Sequence, residues 1–490
     1  MQEHMMSYGL SKTKILHGLQ CSKRLWLKVN QPELAKYSRR ALQSIQDGNE
    51  AQEVYRGLFP NGILIQHVDD PKTALEETRG LLLAGPSGDP IFEAAFEYIR
   101  VLVRADLIFP SLAGFHMVEI KASGSVKDLH LQDCAIQTWV FEKAGIPIKT
   151  VALAVINKSF VYPGSGNYYG LFRHEDVTER VRILMPQVPN WVRNCRTILK
   201  SAMPIVRTGN QCRNPYECPF IAHCSEPEPP YPVRCLPNRG KIVQELIAEG
   251  ILDIRDIPES RLTKPIHERV RRVTKSGKAE INPSAKAVLN QFPYPRFYLD
   301  FETVAPVVPR WPGTRPRQQI PFQWSCHIEH ADGDVEHKWF LDTSGDPPMR
   351  AAALSLVRDL GQAGPIFMYH HFEKDRITDL IDIFPDLAPR LKMLRDRLVD
   401  LLPIVKEHYY HRDMKGSWGL KSVTKCIAPE MSHARLDEVT DGTAAQSAYQ
   451  EIIAPETNDV RREDLKKKLL DYCERDTLAM VRITRLLQGD

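Results

Sequence analysis

Asp106, Glu119 and Lys121 bring two carboxylates and an ammonium into segments that read as adjacent strands, VLVRADLIFP and FHMVEIKAS. Glu119 and Lys121 are two apart, so strand alternation puts both on one face, and a hairpin brings Asp106 beside them. Two carboxylates in one cleft are the oxygen ligands of a hard divalent cation, and a neighbouring ammonium can orient a water or stabilise charge building on a phosphate. Glu-x-Lys alone is a common tripeptide whose ordinary setting is solvated surface. Here the strand is apolar, and the helix after it carries Gln132 and Gln137. Glu93, in IFEAAF, reads equally as an accessory acid and as a solvent-facing strand glutamate.

A second group repeats the pattern. YLDFETV places Asp300 and Glu302 two apart on a strongly apolar strand, where burying two carboxylates is costly unless a cation compensates. Near the chain's end, LLDYCERDTLAMV sets Tyr472 and Asp476 four apart on one helix face. Between them, GPIFMYHHFEKDR reads as a strand entering a helix that carries Glu373 and Asp375, acids that a helix start also favours through its dipole.

The ten cysteines do not form a disulfide framework in the reducing compartment expected for this chain. Cys212, Cys218 and Cys224 stand six apart and call for a ligand reading. Cys21 sits alone near the N-terminus. Cys134, Cys195, Cys326, Cys426 and Cys473 read as small buried hydrophobes, and Cys235 stands close enough to the triplet to substitute for one ligand.

The elements that must position these groups follow from punctuation and periodicity. Four prolines between Pro227 and Pro232 forbid helix and close a first domain, residues 1–232. Residues 233–290 read as a helical linker, with Ile242, Leu246 and Ile247 on one face of IVQELIAEG. Residues 291–490 form a second domain opened by the strand of Asp300. Within the first domain a strand meander, the helix LQDCAIQTWVFEKAG and the strand TVALAVIN predict an α/β class with a mixed sheet. With 490 residues, 43% hydrophobic and 26% charged, the chain has ample length for more than one core. A net charge of +4 excludes a generally basic coat, so a polyanion would need a local groove. Residues 261–278 hold seven Lys or Arg against one acid, and Arg310-Trp-Pro-Gly-Thr-Arg-Pro-Arg317 interleaves an aromatic with arginines just after the Asp300 strand. Trp311, Arg315 and Arg317 are therefore expected to stack a base and hold phosphates. No apolar run reaches the roughly 18 residues of a membrane span, and MQEHMMSYGL lacks a secretory signal, so a cytoplasmic location is expected.

ADLIF with VEIKAS, spaced by a short hairpin, resembles the PD-(D/E)xK motif of RecB-type nucleases, whose fold is that of restriction endonucleases. The opening LSKTKILHGLQCSKRLWL and the downstream CRNPYECPFIAHC are similar to the iron–sulfur branch of that group, which includes CRISPR-associated RecB-like and AddB nucleases. This resemblance covers about residues 9 to 225. It implies metal ligation by Asp106 and Glu119, catalysis with Lys121 and Gln137, and a 4Fe–4S cluster on Cys21, Cys212, Cys218 and Cys224. Phe141 stands where the family commonly carries tyrosine. A structural zinc takes the same four thiolates, but five residues between successive ligands is looser than the usual paired knuckle and favours iron.

From about residue 294 onward, D-x-E on a first strand, an acid after a central strand and Y-x-x-x-D on a late helix resemble DnaQ-like exonucleases of the ribonuclease H fold. PFQWS and GSWGLKSV are similar to family segments. The likeness implies Asp300, Glu302, Glu373 and Asp476 as Mg2+ or Mn2+ ligands and Tyr472 as orienter of the attacking water. Glu373 is preferred to Asp375 because it follows phenylalanine. The whole chain resembles bacterial proteins that fuse these two domains, which implies a nuclease, foremost a DNA exonuclease of repair, recombination or defence, acting on DNA ends or single strands. Lacking GxxxxGK[ST], it would rely on a separate helicase for unwinding. An end-binding adaptor with degenerate sites and an RNA-processing nuclease are the alternatives.

Overall fold

The computed structural model describes residues 9–67, 69–83, 88–111, 114–225, 227–431 and 436–489. The chain divides into two compact units, Met1–Glu226 with Pro306–Gln318, and Pro227–Ala305 with Gln319–Asp490. Each unit is mixed α/β, with parallel and antiparallel strand pairs in its main sheet.

In the first unit, β1 (Leu10–Ser11) runs directly into α1 (Lys12–Gln20), whose N-terminus is capped by the Ser11 hydroxyl accepting from Lys14 N–H. Cys21 separates α1 from α2 (Ser22–Asn30), and α3 (Arg39–Gly57), β2 (Ile63–Leu64) and α4 (Pro71–Leu83) follow. A meander of β3 (Ile91–Tyr98), β4 (Val101–Ser111) and β5 (Gly114–Lys121) leads through α5 (Asp128–Lys143) to β6 (Ile148–Ile156), then β7 (Phe172–Asp176) and α6 (Val188–Lys200). The sheet order is β2-β3-β4-β5-β6-β7, and β1 joins β4 in parallel. Because α5 carries the chain back, β6 pairs with β5 in parallel, which brings the end of β5 close to the face of α5. Leu131, Ala135, Ile136, Trp139 and Val140 make α5 an internal helix of this core. Asp133 and Gln137 on the same helix are 4% and 0% exposed, so their polar atoms must be satisfied internally.

In the second unit, α7 (Gly240–Ala248), α8 (Pro265–Ser276) and β8 (Glu280–Ile281) precede β9 (Arg296–Val304), β10 (Ile320–Glu329) and β11 (Val335–Leu341). After α9 (Met349–Asp359) come β12 (Ile366–Met368), α10 (Phe372–Ile383), β13 (Leu398–Asp400), β14 (Tyr409–Tyr410), α11 (Leu420–Ile427), α12 (Gly442–Ile452) and the long α13 (Asp459–Gln488). The sheet order is β11-β10-β9-β12-β13; β9, β10 and β11 are antiparallel, whereas β12 and β13 run parallel to β9.

Two boundaries differ from those expected. Residues 233–290 are not a separate linker. Val243, Leu246, Val270, Val273, Ala285 and Leu289 share one hydrophobic core with Tyr298, Phe367 and Val405, and β8 pairs with β14. On α7 the buried pair is Val243 and Leu246, while Ile247 is exposed. Residues 306–318, an excursion between β9 and β10, belong to the first unit, where Val307 and Val308 enter the core beside Phe160 and Tyr162.

Candidate functional sites

The expected residues of the first unit converge, and three that the sequence reading passed over join them. Asp106 on β4 accepts from Ile120 N–H (2.7 Å) and from the Gln52 amide on α3 (3.1 Å). Glu119 accepts at Oε1 from both Lys121 (2.7 Å) and Lys12 (2.8 Å), and at Oε2 from Gln137 (2.9 Å). Asp133 accepts from Lys121 (2.8 Å) and Gln137 (3.0 Å), with Lys12 at 3.5 Å. Asp133 lies one turn before Gln137, a spacing that is a usable signal, whereas nothing in the sequence ties Lys12 or Gln52 to a strand so distant along the chain.

Burial raises the Asp106 carboxyl and, with the charges of Asp106 and Asp133 beside it, pushes Glu119 up to about 7. Burial alone would raise Asp133 as well, but Lys12 and Lys121 hold it below the usual carboxylate range. Three carboxylates against two ammoniums leave a net negative charge in an enclosed setting. That oxygen-rich donor set fits a hard divalent cation held by Asp106 and Glu119.

Glu93 stands between the paired residues Phe92 and Ala94 with φ 57° and forms an ion pair with Arg104 (3.3 Å). Phe141 is fully buried against Phe96, with ring centroids 4.2 Å apart, so its role is packing.

Cys21, Cys212, Cys218 and Cys224 line one cavity of the first unit. Cys21 is the N-cap of α2, and Cys212 closes a short turn, Asn210–Cys212. The Gln20 amide donates to the carbonyls of Gln211 and Tyr216, both at 2.7 Å, fastening α1 to the cysteine loop. Arg24 lines the same cavity at 6% exposure, and its buried Nε has no hydrogen-bond acceptor among the described residues. An unsatisfied guanidinium N–H beside four sulfurs fits a bound group that is negatively charged overall, as four thiolates around a cluster would be. Cys235 is not among the residues that line this cavity; it belongs to the second unit and lines a cavity there.

In the second unit a cavity of about 900 Å³ is lined by Asp300, Glu302, Glu373, Tyr472 and Asp476, together with Lys421, Tyr369 and Trp418. Asp300 and Glu302 come from β9, Glu373 from the first turn of α10, and Tyr472 and Asp476 from one face of α13. Glu373 is buried and faces Asp300 in the cavity, while Asp375 is exposed and faces His371 at 3.7 Å. Oxygens of Asp300 and Glu302 and the Cys473 sulfur lie within 4.8 Å of one another.

Burial and the charge of Asp476 raise Asp300 to about 7. Glu302 and Glu373 are also raised, by burial first and by Asp300 second. Glu373 Oε2 is buried without a hydrogen-bond partner. Crowded acids with an unsatisfied oxygen fit divalent cations, which would supply the missing positive charge. Lys421, on α11, donates to the Tyr472 hydroxyl (2.8 Å) and to Thr440 O (3.2 Å), and its Nζ lies 4.7 Å from the ring centroid of Tyr472.

The stability consequence of these shifts has a definite sign. Asp300 binds its proton more tightly folded than unfolded, so its contribution is complete below its unfolded pKa and is lost as pH rises through about 7. Metal-free protein should therefore melt at lower temperature at pH 8 than at pH 5.5, and Mn2+ should raise the midpoint more at pH 8. Equal Mn2+ shifts at both pH values would contradict this carboxylate arrangement.

The expected substrate contacts are corrected. Trp311 is 5% exposed and has no open face for a base to stack on. Arg317 pairs with Asp47 (3.3 Å) and donates to Ala122 O (3.2 Å), and Arg310 pairs with Glu50 (3.6 Å). The segment is thereby fastened into the first unit rather than the unit that holds Asp300; Arg315 is exposed.

Residues 297–419 match a family model described as a domain of unknown function (DUF2779). The matched stretch contains Asp300, Glu302 and Glu373 and ends before Tyr472 and Asp476. No curated protein matches the chain. Among the described residues, no helix is long and apolar enough to cross a membrane.

Proposed function

We propose that the chain is a metal-dependent nuclease with two hydrolytic sites, foremost a DNA exonuclease. The observation that carries this reading is the cavity in which Asp300, Glu302, Glu373 and Asp476 meet Tyr472, with one Glu373 oxygen buried and unsatisfied. The strand order of the second unit, three antiparallel strands followed by two parallel ones, supports a ribonuclease H-like fold. A meander carrying Asp106, Glu119 and Lys121, followed by a crossover helix, supports a PD-(D/E)xK-like fold for the first unit. The cysteine set with Arg24 supports a 4Fe–4S cluster.

Mg2+ or Mn2+, held by the carboxylates, would stabilise the attacking hydroxide and the leaving oxygen. Tyr472 orients the water through its hydroxyl, and Lys421 fixes that hydroxyl. In the first unit, Lys121 lies against Glu119 and Asp133, placed to face negative charge developing on a phosphate. The half-buried Tyr369 and the exposed Lys406 and Lys415 of the larger cavity suit a single strand threaded to its end.

The test is cleavage of end-labelled single- and double-stranded DNA and RNA by anaerobically purified protein with Mg2+ or Mn2+. Binding without cleavage of any of them would replace the enzyme by an end-binding adaptor. Preference for RNA would make it a processing nuclease. Within the nuclease reading, Lys421 is a positioning residue. Lys421→Met should lower kcat by ~10–100-fold with little change in KM, the range expected for an outer-shell partner, while Lys421→Arg retains part of the rate. An unchanged kcat for Lys421→Met would remove that role.

A further inference from the structure

Outside both acidic clusters, His327 on β10 and His337 on β11 are direct cross-strand partners, their rings stacked with centroids 4.5 Å apart and planes at 21°. One ligand atom from each, and one carboxylate oxygen of Glu474 on α13, lie within 4.8 Å of one another. We infer that His327, His337 and Glu474 form a binding site for a divalent transition-metal ion of the zinc class, which ties edge strand β11 to the turn of α13 between Tyr472 and Asp476.

The hydroxyls behind the rings carry the argument. Thr477 Oγ1 lies 3.0 Å from the carbonyl of Glu474 and 2.8 Å from His327 Nδ1. If its proton goes to the carbonyl, it accepts from His327 Nδ1–H, and His327 Nε2 is left with a bare lone pair. Ser325 Oγ lies 2.9 Å from Thr477 Oγ1 and 2.8 Å from His337 Nε2. If Ser325 donates to Thr477, it accepts from His337 Nε2–H, and His337 Nδ1 is bare as well. This Nδ1 faces Glu474 Oε1 at 3.7 Å. A lone pair opposite a carboxylate is unfavourable unless a cation lies between them, and imidazoles whose far nitrogens are fixed by hydroxyls are the usual outer shell of a metal site.

Two nitrogens and one oxygen select zinc, cobalt or nickel rather than magnesium or calcium, which separates this site from the two carboxylate clusters. His337 and Glu474 are partly exposed, with 22% and 44% of their side chains accessible, so an ion can enter and keep a water as fourth ligand. Uptake requires the His337 ring to tilt out of the stack about its Ser325 bond, a motion open to a part-exposed side chain on an edge strand.

The site is independent of nuclease activity, and its test uses none. Full-length protein with its iron content recorded is titrated with Co2+ and followed by calorimetry and visible absorption, alongside His337→Ala and Glu474→Gln. In saturating Mg2+, which fills the carboxylate clusters, wild type should bind one equivalent of Co2+ more than either variant, with nitrogen and oxygen ligand-field bands and no new sulfur-to-metal charge transfer. Both variants should lose more than the ~10–100-fold typical of an outer-shell change. In the same Mg2+ background, Zn2+ should raise the melting midpoint of wild type more than that of either variant. Equal Co2+ affinity in wild type and Glu474→Gln, or charge-transfer bands placing the ion on cysteine, would overturn the site. So would failure of wild type to bind Co2+, which would leave the histidine stack a metal-free packing contact.

Discussion

Asp300→Asn should lower 3′-end trimming by ~10²–10³-fold and at the same time raise the melting midpoint of metal-free protein at pH 8. The two effects have one cause. Asp300 is half-buried in the cavity it shares with Glu302, Glu373 and Asp476, so its ionisation at pH 8 opposes folding unless a cation neutralises it. Asparagine keeps the shape, never ionises and offers one oxygen where the carboxylate offers two, so it relieves repulsion while weakening metal ligation. At pH 5.5 the wild-type group is already protonated and the stability gain should shrink. Melting curves at both pH values and cleavage of substrates capped at one end by phosphorothioates measure both halves. The DnaQ-like resemblance implies 3′ polarity for this site and the RecB-like resemblance 5′ polarity for the Asp106 site, so 5′ trimming should persist. A melting gain with full 3′ cleavage would mean that the acids are buried together but do not hydrolyse. No change in either would remove Asp300 from the cluster.

What the sequence revealed of this arrangement follows the range of local rules. Strand alternation places Glu119 with Lys121, and Asp300 with Glu302, because the period of two is a property of the strand itself. The one-turn spacing of Tyr472 and Asp476 is equally local. Lys12, Gln52 and Lys421 were not legible, since each reaches its partner only through tertiary packing: Lys12 meets Glu119 across 107 positions, and Lys421 meets Tyr472 across 51. The excursion of residues 306–318 misled for a physical reason. An aromatic flanked by arginines has the composition of a nucleic-acid contact, yet here the acids Asp47 and Glu50 neutralise two of the arginines and the indole is buried. Composition reports what a segment can touch, whereas burial decides what it does touch. Residues 233–290 follow the same rule, because the amphipathic helices that look like a linker have apolar faces that must be covered, and the core around Tyr298 covers them.

Cys218→Ser should remove iron from the protein and, in doing so, impair the first hydrolytic site far more than the second. The connection runs through α1. At its N-terminal end Lys12 reaches Glu119, and at its C-terminal end Gln20 holds the carbonyls of Gln211 and Tyr216, with Cys21 next in the chain. Losing one ligand from a four-thiolate site removes binding energy that is also folding energy for the loop of Cys212, Cys218 and Cys224. Once that loop loosens, Gln20 loses its acceptors and α1 is no longer fixed at the far end from Lys12. A hydrogen bond to a charged group contributes about 1.5–3 kcal/mol, so displacing Lys12 unbalances the cluster of Asp106, Glu119 and Asp133 without touching it directly. Iron content, the melting profile and strand-resolved cleavage should therefore move together, and Lys12→Ala should reproduce the catalytic part of the loss with iron retained. Loss of iron with undiminished cleavage at the Asp106 site would uncouple α1 from catalysis. A colourless, well-folded wild type with stoichiometric zinc would replace the cluster by a structural zinc, and the same experiment would then follow zinc in place of iron.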